Sequence, residues 1–170
     1  MTSKEFITEF ERRYDQNGIA LIHEFFLTFS RFEYSLKSAG FYNGNENKIQ
    51  PSWDKFANSI RNVFNPNANE ELRNAVEYLV ANPPKKQILG AGIMAFKSRE
   101  HLERLNIVLR LKTNICDIRN NLFHGGKFDG SFEPEVSRNY ILLHSALVVL
   151  NNWLMLNKDV NNFFSLPIPN

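Results

Sequence analysis

An all-α bundle of about five to six helices is the fold class this sequence predicts, and three observations predict it. Apolar residues recur at steps of three and four along three long segments. Asn, Gly and Pro collect at the boundaries between segments. No internal repeat or low-complexity stretch divides the 170 residues, which reads as a single helical domain over 1–170.

Lys4 to Tyr14 reads as a short charged helix, broken at Asn17-Gly18. A longer helix follows from Ile19 to Ser38, with Ile22, Phe25, Phe29, Phe32 and Leu36 as its buried stripe and Gly40 as its stop. Phe41 to Pro51 is polar and Asn-rich and reads as a loop. Two shorter helices are expected at Ser52–Phe64 and Asn69–Val80, separated by Asn65-Pro66-Asn67 and closed by Asn82-Pro83-Pro84. Gln87 to Phe96 is apolar with two glycines, and its pattern fits a strand, an extended loop or the lead-in to the next helix. Ser98 is a suitable N-cap, with Glu100 in the first turn. The helix it opens should run to about His124, carrying Val108, Leu111, Ile115, Ile118 and Leu122, with Gly125-Gly126 as its stop. After a loop at Phe128–Phe132, Pro134 suits the first turn of a last long helix. Its stripe is Val136, Tyr140, Leu143, Leu147, Leu150 and Leu154, and the tail from Phe163 to Asn170 reads as irregular.

Composition narrows the function classes. The apolar share is 43%, ordinary for a globular chain, although 15 residues are Phe. No run of 18 uncharged apolar residues is present, so neither a transmembrane helix nor a membrane partner is expected. The first residues lack the apolar run of a signal peptide. The single cysteine, Cys116, allows no internal disulfide and no thiolate-rich zinc site, which fits a reducing cytoplasm. A formal charge of +2 argues against sequence-independent coating of a polyanion but leaves room for a local basic patch.

Chemistry concentrates in Arg119-Asn120-Asn121-Leu122-Phe123-His124. On an ideal helix Arg119 lies about 40° from the line through Ile115, and His124 lies on nearly the opposite side. The two side chains meet only if the helix unwinds before the glycines, or if a second copy of the chain completes the site. A histidine at a helix C-terminus is drawn toward the imidazolium, Arg119 opposes that, and the balance suits proton transfer. Arg119 can hold a phosphate through two parallel hydrogen bonds. Asn120 and Asn121 add neutral donors, and Lys127 adds a cation just past the glycines, so these three are the candidate substrate-binding residues. The segment contains no metal-ligand set and no cofactor motif, so the chemistry expected is metal-free and cofactor-free.

These residues resemble the R-x4-6-H signature of HEPN-domain proteins, in which a polar residue often follows the arginine, as Asn120 does here. The helical outline is similar from about Ile19 to Asn157. The segment Arg31-Phe32-Glu33-Tyr34-Ser35-Leu36-Lys37 is similar to small Apea-like bacterial members. The resemblance implies a HEPN-like helical bundle forming a homodimer. It implies an endoribonuclease in which a ribose 2′-hydroxyl attacks the adjacent phosphate, with His124 as general base or acid and Arg119 stabilising the phosphorane. A toxin or antiphage-defence setting, with an antitoxin partner, follows from the same likeness. Some family toxins extend the motif to His-x-Tyr; here Gly125 and Gly126 follow His124, so control through such a tyrosine is not expected.

Other readings compete. A non-catalytic module of the same type would bind RNA, a nucleotide or a protein partner, and a helical interaction domain would need no site at all. In that last reading, Arg119 pairs with a carboxylate such as Asp117 or Glu33, and His124 caps a helix. Arg138 and His144 also fit R-x5-H but lie mid-helix without adjacent amides or glycines. Gly90-Ala91-Gly92-Ile93-Met94-Ala95 imitates a dinucleotide fingerprint without the surrounding βαβ unit. His23, His101 and His144 are scattered, and Cys116 reads as a structural thiol.

Overall fold

Thr2 opens the first helix with a reciprocal cap: its hydroxyl accepts from the Glu5 N–H at 3.2 Å, and the Glu5 carboxylate accepts from the Thr2 N–H at 2.7 Å. In this computed structural model, which describes residues 1–123 and 136–167, that helix is α1 (Ser3–Arg13). Asp15 caps α2 (Gln16–Ser38) by accepting from the Gly18 N–H at 2.8 Å. The same carboxylate oxygen accepts from the Tyr140 hydroxyl at 3.1 Å, so one cap ties the start of α2 to a distant helix.

Gly18 is small for a specific reason. A Cβ there would fall 2.1 Å from the Tyr140 hydroxyl oxygen and 2.5 Å from its ring. Gly18→Ala is therefore expected to displace Tyr140 and break its bond to Asp15, for a net loss of about 1 kcal/mol against the helix-propensity gain of alanine. In a Tyr140→Ala background the same substitution should stabilise the protein instead. Urea unfolding of the four variants checks this, and equal effects in both backgrounds would contradict the contact.

The expected loop at Phe41–Pro51 is an antiparallel hairpin, β1 (Tyr42–Asn45) with β2 (Lys48–Pro51). Its turn forms because the Asn45 side chain accepts from the N–H groups of Asn47 and Lys48 at 3.0 and 3.2 Å. Ser52 caps α3 (Trp53–Ile60), which is shorter than the expected Ser52–Phe64, and Asn69 caps α4 (Glu70–Ala81). The undecided Gln87–Phe96 stretch lies in a second hairpin, β3 (Lys86–Gly90) with β4 (Ile93–Lys97). Its two-residue turn has positive φ at Ala91 (51°) and Gly92 (81°), the geometry that matches strand twist.

The helix expected from Ser98 starts later. His101 is left-handed (φ 62°, ψ 23°), and Leu102–Arg104 makes one 3₁₀ turn. Only then does α5 (Ile107–Phe123) begin, with the Asn106 side chain accepting from the Leu109 N–H at 3.1 Å. After α6 (Val136–Leu156), the expected irregular tail contains α7 (Lys158–Phe164), capped by Asn157. The all-α bundle of five to six helices is thus corrected. Among the described residues the fold is mixed α/β, with seven α-helices and two small antiparallel sheets of two strands each. The strands escape a helical reading because each is only four or five residues long and none of their residues is buried.

The helical stripes converge in one core. Phe25, Phe29, Phe32 and Leu36 from α2 meet Val108, Leu111, Ile115 and Ile118 from α5 and Leu143, Leu147, Leu150 and Leu154 from α6. Trp153 is fully buried with its ring edge-on to Phe56 and Phe64, and Phe32 stacks on Trp53 with centroids 5.1 Å apart. α6 packs on α4 and α2, α7 lies against α2, and α3 lies against α5. By length and composition Arg138–Leu156 is apolar enough to cross a membrane, but 56% of that span is buried within the fold.

Candidate active site at the end of α5 and the cleft beside it

α5 turns one face to the core and two flanks to neighbouring elements. Arg119, half-buried near its C-terminal end, stands on the flank toward α2. Its guanidinium lies 5.8 Å from the Phe29 ring centroid, and its Nη1 donates to the Asn120 side-chain oxygen at 3.1 Å. A side-chain oxygen held against one arm of the fork limits the rotamers available to the guanidinium. Asn121 points the other way. It is 6% exposed, and its amide donates to the Lys85 carbonyl at 2.8 Å, tying the lead-in of β3 to the last turn of α5. The structure therefore brings Arg119 and Asn120 together and gives Asn121 an inward, anchoring contact. His124 and Lys127 lie outside the described residues.

Both carboxylates considered as partners for Arg119 have other engagements. Asp117, 3% exposed, receives a two-pronged contact from Arg99, with Nε and Nη2 each on one oxygen. Glu33 accepts from the Trp53 indole N–H at 3.1 Å. The second R-x5-H match does not share a face: His144 is exposed on α6, about 120° around the helix from half-buried Arg138. His23 and His101 are also exposed. The Gly90–Gly92 fingerprint is the turn of the β3–β4 hairpin, followed by a strand rather than a helix. Among the described residues, no three His, Cys, Asp or Glu side chains converge in a way that could hold a metal ion.

On the opposite flank of α5 lies a cleft of about 410 Å³, whose walls include Lys86, Lys97, Arg99, His101, Leu105 and Thr113. Register sets its mouth: Lys86 and Lys97 are directly paired across β3 and β4. Lys97 bonds Glu100 at 2.8 Å, which raises the Lys97 ammonium above its ordinary value and holds the Glu100 carboxyl below its own. The Arg99 guanidinium is likewise raised, chiefly by its hydrogen bond to Asp117. Sequence reading did not find this cleft. The signal was present, since a two-residue turn at Ala91-Gly92 makes Lys86 the partner of Lys97 by counting outward along both arms.

Cys116 is chemically quiet. Burial pushes its thiol up to about 12, with Lys112 acting in the opposite direction. At pH 8 only roughly 10⁻⁴ of such a thiol is thiolate. A chromogenic disulfide reagent at pH 8 is expected to leave the folded protein unmodified and to react stoichiometrically once urea unfolds it. Rapid stoichiometric reaction of the folded protein would contradict this.

No protein-family model, curated protein or solved structure matches the chain.

Proposed function

We propose that this protein is a metal-independent endoribonuclease of the HEPN type, working as a homodimer in a toxin or antiphage-defence setting. The observation that supports the reading is the environment of Arg119. A permanent cation stands near the end of a 17-residue helix, half-exposed, with the Asn120 side chain bonded to its guanidinium at 3.1 Å. Such a group is suited to an incoming phosphate, because little rotamer freedom remains to be lost on binding.

In the proposed reaction the ribose 2′-oxygen bonds to the adjacent phosphorus and the bond to the 5′-oxygen breaks. His124 takes the 2′-hydroxyl proton or supplies one to the departing 5′-oxygen. Arg119 stabilises the extra negative charge on the phosphorane. A homodimer is favoured because residues five apart on an ideal helix are separated by about 140°. A second copy can then supply the group that one helix end cannot turn toward the phosphate. The toxin or defence role, and an antitoxin partner, rest on the motif resemblance alone.

The test is a cleavage assay on single-stranded RNA in excess chelator, comparing the unaltered protein with His124→Ala. Cutting by the first and not by the second is expected. An inert unaltered protein, or equal cutting by both, would overturn the proposal.

A further inference from the structure

We infer that the cleft between the β3–β4 hairpin and α5 binds phosphates of single-stranded RNA. The inference rests on the ribonuclease reading and adds a substrate-binding site to it.

Two features of the cleft have no folding rationale of their own. Lys86 and Lys97 are directly opposite each other across β3 and β4, a placement of like charges that weakens a strand pair. His101 is left-handed although it is not glycine, and it sits on the cleft wall with its side chain exposed. Arg99, which ties its segment to α5 through Asp117, also lines the cleft. Local rules broken together around one concavity are a mark of a binding site.

The charge fits one ligand class. Lys86, Lys97 and Arg99 are permanent cations at the cleft, and the exposed carboxylate among them is Glu100. Asp117 lies behind Arg99, out of contact with solvent. Lys97 is bonded to Glu100 and Arg99 to Asp117, so three cations against two carboxylates leave an excess of one positive charge in a concave place, where it acts on an anion more strongly than dispersed charge does. Leu105 adds apolar surface for a ribose or base face, and is 39% exposed. Thr113 lines the cleft and Arg119 is six residues further on, about 9 Å along the helix axis and about 120° around it, so a strand gripped at the lysines reaches Arg119 only by passing around α5.

The probe is a fluorescent 2′-O-methyl oligoribonucleotide, which lacks the attacking hydroxyl. Its binding is followed by anisotropy at several salt concentrations. The proteins compared are the unaltered chain, Lys86→Ala/Lys97→Ala, and the charge-matched Lys48→Ala/Lys158→Ala, whose lysines are exposed on β2 and α7. For single strands each neutralised phosphate contributes about 0.7 to the slope of log affinity against log salt, so losing two contacts should flatten it by about 1.4. At 0.15 M salt the same loss weakens binding about tenfold. The charge-matched pair should bind like the unaltered protein. Equal slopes for all three, or no binding by the unaltered protein, would overturn the inference. Cleavage of ordinary RNA, run in parallel, separates the two proposals. Lysine-dependent binding by a protein that cuts nothing overturns the ribonuclease reading and leaves the cleft as an RNA site. Cutting by a protein whose binding ignores Lys86 and Lys97 overturns the cleft alone.

Discussion

Arg119→Ala is expected to slow RNA cleavage by about 10²–10³-fold, the effect of removing one well-aimed donor from a developing oxyanion. Arg119 is the one permanently charged residue between positions 119 and 124. No neighbour within that segment replaces its charge: Asn120 is neutral and bonded to the guanidinium, and Asn121 faces Lys85. Arg119→Lys should recover only part of the rate, because an ammonium keeps the charge but loses the planar fork. Arg119 also lies over Phe29, so each variant needs its unfolding midpoint measured beside its rate. A loss of cleavage with the midpoint held points to the phosphate. Undiminished cleavage by the alanine variant would contradict the role given to this residue.

Arg99→Ala is expected to destabilise the fold by about 3 kcal/mol. Removing one partner of a buried ion pair costs more than the pair contributes, because the remaining charge stays desolvated and uncompensated. The remaining charge here is Asp117, 3% exposed on α5. The figure belongs at the lower end of the usual range, because the Arg99 side chain is 32% exposed and water can reach the vacated space. Replacing both partners with apolar residues, Arg99→Met with Asp117→Leu, should restore most of the loss, since neither charge then needs a partner. Urea unfolding of the three variants measures this. A loss below about 1 kcal/mol for Arg99→Ala would mean that the pair behaves as a surface salt bridge. The same contact holds the 97–101 segment against α5, so Arg99→Ala should also weaken RNA binding at the cleft.

Much of the helical framework was legible because it is local. The three-and-four spacing of Phe25, Phe29, Phe32 and Leu36 identified the buried face of α2, and the same logic identified those of α5 and α6. Ser52 and Asn69 were read correctly as boundaries because a cap acts within three residues of itself. What was missed depends on partners far away in sequence. Ser98 has the chemistry of a cap, but its segment is held by Arg99 on Asp117, 18 residues later, and helix formation waits for Asn106. β1 and β2 present exposed, mostly polar residues without an alternation to read. α7 carried a usable signal in Asn157 with Asp159 in the first turn, obscured by the prolines that follow.

The candidate site divides in the same way. Arg119 near the end of α5 followed from the helical stripe. The inward turn of Asn121 did not, because its partner is a backbone carbonyl 36 residues earlier. The basic cleft needed the register of a hairpin and a left-handed residue, neither of which composition reveals.

The chemistry assigned to Arg119 and His124 requires the attacking group to be the ribose 2′-hydroxyl. One oligoribonucleotide and a copy carrying a single 2′-deoxy sugar at the cleaved position, each incubated with the protein in excess chelator, isolate that requirement. Cleavage of the first to a 2′,3′-cyclic phosphate end, with the second left intact at that position, is the expected result. Cleavage of both, or a product ending in a 5′-phosphate, would contradict it.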